Sequence, residues 1–415
     1  MKIWIINHYA VPPTSAGGTR HYHFAKQLIL RGHDVTLIAA NYNHFSHTFM
    51  QPKSQAGHHI DQSFDVPFIW IPTPAYYGNT IARFWNMLIF SWRLLQKKYL
   101  SCSSPPDLII GSSPHLFAAL SAELLARRLK IPFILEIRDI WPDTLVELGR
   151  FSERHPLIKM MKYIEHYLYK RADKIITLLP EAHQYFIKKG VKEDDIMWLP
   201  NAIDSDLIPS HLEHNRQDKF TIMYAGAHGL ANDLDTVLKA GKILQNQGLS
   251  DKIRILLIGE GPEKNRLKQI ASQQDITIVE FINAVPKQEI YTILNKADAF
   301  LMLLKKSPLF RWGISPNKLF DYLAMARPII FGVDTNYNPI EKYNAGLSIT
   351  PSCHESLANA ISQLALLPEI ERAEMGQRGK DFVMQHHHIQ HLTNSLVDAM
   401  TDTLESKLNK RNRDR

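Results

Sequence analysis

In the stretch RWGISPNKLFDYLAMARPII, a serine, a proline, a lysine and an aspartate are spaced for one task. Ser315 suits a helix N-cap and Pro316 the first helical position. Lys318 then falls in the first turn, beside Asn317, and Asp321 follows it by three residues on the same face. A helix start offers unpaired N–H groups and the positive end of the macrodipole, and with a lysine added it can hold a diphosphate. A carboxylate one turn further in can accept hydrogen bonds from ribose hydroxyls. A surface Lys–Asp pair fits the same spacing, but such a pair is worth little. The stretch LLIGEGPEKNRLKQIA repeats the theme: Gly259 and Gly261 end a strand, Pro262 suits the first helical position, and Lys264 and Arg266 follow. Lysine in a first turn opposes the dipole. An anionic ligand would give it a reason; a solvent-exposed lysine is the plainer alternative.

The first half of the chain carries further candidates. Gly17 and Gly18 stand where the strand-like MKIWIINHYA hands over to an amphipathic helix, which suits either a phosphate-binding loop or a tight βα turn. Arg138, Asp139 and Asp143, with Trp141 among them, follow the apolar run PFILEI. Ser112, Ser113, Pro114 and His115 follow PDLIIG, where a histidine serves as a helix cap as readily as a catalytic group. Several signatures fail. The chain has no G-x-x-x-x-G-K-[ST], no G-x-G-x-x-G after the first strand, no H-E-x-x-H, no paired C-x-x-C and no G-x-S-x-G. No metal site is predicted.

The elements that must position these residues alternate in type. Apolar, β-branched runs (KIWIIN, DVTLIA, PDLIIGSS, PFILEI, KIITLLP) are separated by helical patterns, which implies an α/β fold with a parallel sheet covered on both faces. The rhythm pauses in a proline-punctuated stretch near 203–218, read as a linker. It restarts with FTIMYAG, KIRILLIGEG, ITIVEF, AFLMLL, RPIIFGV and GLSIT. Two Rossmann-like domains are therefore expected, 1–203 and 204–384, with a C-terminal helix at 385–410 completing the first. Ligands on such sheets bind beyond the carboxyl ends of the strands. The internal His386–His388 run reads as a solvated face, since adjacent residues do not share a helix face.

A chain of 415 residues with 45% apolar and 21% charged residues is expected to be globular and to exceed a single core. Two distant cysteines exclude a disulfide scaffold and fit a reducing compartment. The start lacks signal-peptide character and no run reaches the ~20 apolar residues of a spanning helix, so a cytoplasmic location is expected. The excess of 48 Lys+Arg over 41 Asp+Glu, +7, suits nucleic acid, an anionic membrane face or a phosphate-bearing substrate. Between Val66 and Pro106 there is no Asp or Glu, while Arg83, Arg93, Lys97 and Lys98 fall inside. There, Ile81, Phe84, Trp85, Leu88, Trp92 and Leu95 share one helical face. The other face carries the cations together with Met87, Phe90 and Leu94. That combination fits a helix lying on an anionic membrane, or an ordinary amphipathic helix with some exposed apolar residues.

Taken in order, GG after the first strand, SSPHLFAALSAELLARR, EIRDIWPDTLVELG, YKRADKIITL, LPNAID, GEGPEK and SPNKLFDYLAMARPII resemble the family 4 retaining glycosyltransferases of GT-B fold, in particular the branch that builds O-antigen and capsule polysaccharides. The resemblance covers nearly the whole chain. It implies two Rossmann-like domains facing a cleft and metal-independent, cofactor-free transfer of a sugar from a nucleotide donor, often UDP-linked. It also implies a lipid-linked (polyprenyl-diphosphate) saccharide acceptor at the inner face of the cell membrane, and no nucleic acid. By position, Lys264, Ser315, Asn317 and Lys318 would hold the diphosphate, Asp321 the ribose, and Gly17 and Gly18 would meet the sugar phosphate. Asp139, Arg138 and His115 would be the catalytic candidates. Three departures stand out. Arg138 replaces a histidine that many relatives keep, the loop AHGLAND lacks the usual cation, leaving His228 or Asn232 in its place, and Gly313 replaces the first of two paired glutamates. The alternatives are a nucleotide-sugar 2-epimerase of similar plan and a nucleic-acid-binding protein.

Overall fold

The structure is a computed structural model of the chain; it describes all residues except Ala16, 53–54, Asn79, Leu148, Arg150, 205–207, 209–217, 286–288 and 414–415. The chain divides into two units, residues 1–200 with 389–415, and residues 201–388. Most of the expected linker lies outside the described residues.

The first unit is built on β1 (Lys2–Ile6), β2 (Asp34–Ala40), β3 (Phe68–Ile71), β4 (Leu108–Ser112), β5 (Phe133–Ile137), β6 (Lys174–Thr177) and β7 (Ile196–Trp198). They form one parallel sheet in the order β3-β2-β1-β4-β5-β6-β7. Ile3, Trp4, Ile5 and Ile6 are all buried, which is why the run shows no polar alternation: helices cover both faces. Those helices are α1 (Arg20–Leu30), α2 (Ile81–Leu94), α3 (Leu116–Leu129), the short α4 (Asp143–Glu147), α5 (Pro156–Arg171) and α6 (His183–Lys188). Strands β3 and β7 were not anticipated.

The second unit repeats the plan with β8 (Phe220–Ala225), β9 (Ile253–Ile258), β10 (Val279–Ile282), β11 (Ala299–Leu303), β12 (Ile329–Gly332) and β13 (Gly346–Ser348), in the order β10-β9-β8-β11-β12-β13, all parallel. Its helices are α7 (Leu234–Asn246), α8 (Lys264–Gln273), α9 (Ile290–Leu294), α10 (Asn317–Ala324), α11 (Pro339–Lys342), α12 (His354–Leu366) and α13 (Glu369–His386). Alternate residues feed two cores. Met223, Leu256, Phe300 and Met302 face one side, and Ile222, Tyr224, Ile255 and Leu301 the other. The histidine run is not a solvated face throughout. His387 is buried, its ring stacked on Phe320 at 4.2 Å and its Nδ1 3.2 Å from the Asn201 carbonyl oxygen.

The chain then returns to the first unit as α14 (Ile389–Arg413), which packs on α1. Arg31 donates to Asn394 Oδ1 at 2.9 Å, and Lys407 reaches Asp173 at 2.8 Å. Strand order reverses between β1 and β4 and between β8 and β11, the two places where an open parallel sheet leaves a crevice for ligands.

Candidate active site

At the β8/β11 reversal, α10 is fixed by Tyr322. Its hydroxyl accepts from the Ala225 N–H at 2.7 Å and donates to the Ala225 carbonyl at 2.9 Å, and its ring stacks on Phe300 at 4.4 Å. One turn earlier, Lys318 is thereby carried to the end of β8. Its ammonium donates to Asn232 Oδ1 at 2.7 Å and to the Tyr224 hydroxyl at 3.1 Å, and lies 4.4 Å from the centre of the Tyr224 ring. No carboxylate is among these partners. Burial accordingly lowers the Lys318 pKa from 10.5 to about 7. The structure thus brings together Lys318 and Asn232 of the expected set, and adds Tyr224, which the sequence had not singled out.

The neighbours of Lys318 depart from expectation in detail. Helix α10 begins at Asn317, with Pro316 in the cap position and no side-chain cap, and Asn317 is exposed. Ser315 is therefore not the N-cap; its Oγ accepts from the Asn201 N–H at 3.0 Å, fastening Asn201 to the start of α10. Asp321 Oδ1 accepts from the Tyr291 hydroxyl at 2.7 Å.

Lys264 also departs from its expected place. It opens α8, with Glu263 in the cap position and Pro262 outside the helix. It is 4% exposed, and its ammonium reaches Glu260 Oε1 at 2.7 Å, Asn283 Oδ1 at 2.8 Å and the carbonyls of Gly259 at 2.9 Å and Ile282 at 3.2 Å. Three protons shared among four protein oxygens leave none for a diphosphate, so Lys264 ties the ends of β9 and β10 together. Arg266 is likewise committed, to Asp235 and Glu263. The two glycines upstream have a packing reason. A Cβ on Gly259 would collide with the Gly226 carbonyl and one on Gly261 with the backbone of His228. His228 itself is fully buried; its pKa is lowered to about 4 by burial and by Lys264, with Glu260 and the Ile258 carbonyl opposing. Of the two residues expected to replace the missing loop cation, Asn232 is the one that meets Lys318.

At the β1/β4 reversal, the first unit holds a buried polar network that the sequence reading missed. Glu136, inside β5, accepts from Arg20 Nε at 2.9 Å, His21 Nε2 at 2.6 Å and Ser112 Oγ at 2.6 Å. Asn7 Nδ2 lies 3.1 Å from both His21 Nδ1 and Ser112 Oγ, which fixes His21 as the tautomer protonated on Nε2. Arg20 also donates to the carbonyls of Leu199, at 2.8 Å, and Pro200. Burial opposes ionisation of Glu136, but His21 and Arg20 outweigh it and hold its carboxyl well below the usual range. The available signal was Glu136 itself, a carboxylate inside a strand buried on both faces, which requires a partner.

Around this network lie the expected first-unit residues. Gly17 has φ +140°, and a Cβ there would come 2.9 Å from Val11 Cγ2. Among the described residues a Cβ at Gly18 would meet only Arg138 Nη1, at 3.9 Å, so Gly18 and Arg138 do come together. Asp139 presents its side chain to solvent, yet the surrounding protein raises its pKa, opposed by Arg138. His115 lines a cavity together with Arg83 and Trp141. It is buried as the N-cap of α3, its Nδ1 accepts from the Ala118 N–H at 3.2 Å, and its Nε2 lies 3.0 Å from His8 Nδ1. Burial and Arg83 lower its pKa to about 3, so it is neutral and makes a poor general acid. Asp143 accepts from the Tyr185 hydroxyl at 3.1 Å.

Residues 15–202 match the glycosyl transferase 4-like domain and residues 208–382 the glycosyl transferases group 1 domain. The chain is 24% identical over 281 residues to WcaI of Escherichia coli K12, named for a glycosyl transferase role in colanic acid biosynthesis; the alignment covers 64% of this chain and 67% of WcaI. In fold it is similar to sucrose-phosphate synthase from Thermosynechococcus elongatus, with a TM-score of 0.77, 14% identity and coverage of 98% and 99% of the two chains. Anabaena HepE, solved in complex with UDP, gives a TM-score of 0.68 at 13% identity, with coverage of 97% and 100%. Two parallel-sheet α/β domains of the GT-B type, each matched to a sugar-transferase domain, identify the chain as a glycosyltransferase built of a glycosyl transferase 4-like domain and a glycosyl transferases group 1 domain.

Proposed function

We propose that the chain transfers a sugar from a UDP-sugar to a lipid-linked saccharide, with retention of anomeric configuration and without a metal, in surface-polysaccharide biosynthesis at the inner face of the cell membrane. The carrying observation is Lys318, a half-buried ammonium at a helix start, held by Asn232 and Tyr224 with no carboxylate partner among the described residues. A leaving diphosphate supplies the missing negative charge, and a preorganised cation stabilises it without reorganisation as the bond to the sugar breaks. Asp321 receives the ribose. The UDP assignment is supported by HepE, and the polysaccharide role by WcaI.

The test is binding of UDP against GDP and NAD, read by thermal stability and calorimetry across pH. UDP is expected to bind best, and its affinity to depend on the Lys318 proton. With a pKa of about 7 in the free protein, Lys318 is charged below that pH and neutral above it. Bound phosphate raises the pKa, so binding above pH 7 takes up a proton, and affinity falls up to tenfold per pH unit there. Lys318→Arg, charged throughout, is expected to flatten that limb. Stabilisation by NAD alone would overturn the donor-site reading.

Asp139 is proposed as the polar group facing the reacting sugar. Asp139→Asn is expected to lower kcat by about 10²-fold or more while UDP-induced stabilisation stays unchanged; full turnover in a defined transfer assay removes Asp139 from the mechanism.

A further inference from the structure

Helix α2 sits on its unit in an unusual way. Asn86, Phe90, Ser91 and Leu94 face inward, whereas Ile81, Trp85 and Trp92 are 77%, 57% and 63% exposed. The apolar stripe that an ordinary amphipathic helix would bury therefore points outward. On α5, Met160 and Tyr163 are also exposed. Both helices line one cavity of about 370 Å³, with Phe84 and Met87 on α2, Leu157 and Met161 on α5, and Trp141 and Leu145 between them in sequence. Arg83 is the one charged residue among its described lining residues, and no carboxylate is present there.

A cavity of that size with apolar walls gives water few partners, and exposed tryptophans beside it favour a membrane interface. The surrounding charge is complementary to an anionic lipid: no acid occurs from Val66 to Pro106, and Lys97 and Lys98 are exposed just beyond α2. We propose that this cavity holds the isoprenoid chain of the anionic lipid acceptor, drawn from a bilayer on which the Ile81–Trp85–Trp92 stripe rests, with Arg83 meeting the phosphate. The proposal rests on the lipid-linked acceptor reading above, and it assigns to the first unit a hydrocarbon subsite lined in part by His115 and by Trp141, two residues beyond Asp139.

The test titrates the full-length protein with farnesyl phosphate below its micellar concentration, using inorganic phosphate as the reference. In parallel, flotation is measured with phosphatidylethanolamine/phosphatidylglycerol vesicles. The wild-type chain is expected to bind farnesyl phosphate at least tenfold more tightly than phosphate. Leu145→Trp and Leu157→Trp, which fill the cavity from two sides, are expected to weaken farnesyl phosphate at least tenfold while UDP-induced stabilisation reports an intact fold. Trp85→Glu is expected to abolish flotation. Equal affinity for farnesyl phosphate and phosphate, or farnesyl phosphate binding unchanged in both filled variants, overturns the subsite; if flotation persists in that case, the lipid-side reading stands without it. Loss of both flotation and farnesyl phosphate binding in the wild type overturns the two together. A dimer dispersed by Trp85→Glu, in a protein indifferent to vesicles, assigns the stripe to a second copy and also overturns the proposal.

Discussion

Lys318→Met is expected to move stability and binding in opposite directions. The ligand-free protein should become more stable by about 0.5–2 kcal/mol, the range seen when a functional group held at a cost is replaced. UDP affinity should fall on the order of 10–100-fold, the loss of one charge-assisted contact of about 1.5–3 kcal/mol. The reasoning is electrostatic. Burial pushes the Lys318 pKa down to about 7, so holding it charged near neutral pH costs free energy that the neutral oxygens of Asn232 and Tyr224 do not fully return. Methionine keeps the length and apolar stem without the charge. An anion bound at the start of α10 repays the cost, which is why the same substitution weakens the complex. Thermal unfolding with and without UDP measures both effects in one experiment. For the wild type, saturation at a hundredfold excess over Kd should add ~2.7 kcal/mol. A variant that is destabilised when empty yet stabilised by UDP as before would assign Lys318 to the framework.

Lys318 and Lys264 show what the sequence could and could not tell. Each is a lysine in a first helical turn, and the dipole argument asks an anion of both. For Lys318 the structure provides neutral oxygens alone. For Lys264 the oxygens come from the protein: Glu260 four residues back, and Asn283 and the Ile282 carbonyl from the neighbouring strand β10. Glu260 and the Gly259 carbonyl are local to Lys264, but Asn283 and the Ile282 carbonyl reach it only through the pairing of β9 with β10. The sheets themselves were legible, since strands buried on both faces read as continuous apolar runs; only β3 and β7 went unread. The glycines were legible as close approaches, but Gly259 and Gly261 are approached by the loop after β8. Arg20 and Glu136 are 116 residues apart, and their pairing depends on β1, β4 and β5 lying side by side.

That pairing carries the largest stability effect. Glu136→Gln is expected to destabilise the first unit by about 3–5 kcal/mol, because it leaves the Arg20 guanidinium buried without its counter-charge. At that size the thermal midpoint should drop on the order of 10 °C. Removing one neutral contact to the same carboxylate, in Ser112→Ala, should cost only about 1 kcal/mol. Replacing both charges by apolar residues in Arg20→Met/Glu136→Met should recover much of the loss, since the penalty lies in the unpaired ion and not in the absence of the pair. The pH dependence follows from the depressed carboxyl. In the unfolded chain Glu136 titrates near 4.5 and in the folded chain well below it. Its contribution is therefore fully present above about pH 4.5 and disappears as pH falls toward the folded value. Wild-type protein should lose stability steeply below pH 4.5, and the Glu136→Gln variant less so. Because Arg20 is the first residue of α1, the same substitution should loosen the Gly17–Gly18 turn that precedes it. Turnover would then fall by more than the folded fraction accounts for, whereas UDP, held by the other unit, should still stabilise that unit. Calorimetry resolving the two units, with and without UDP, separates an effect on the acceptor side from general unfolding.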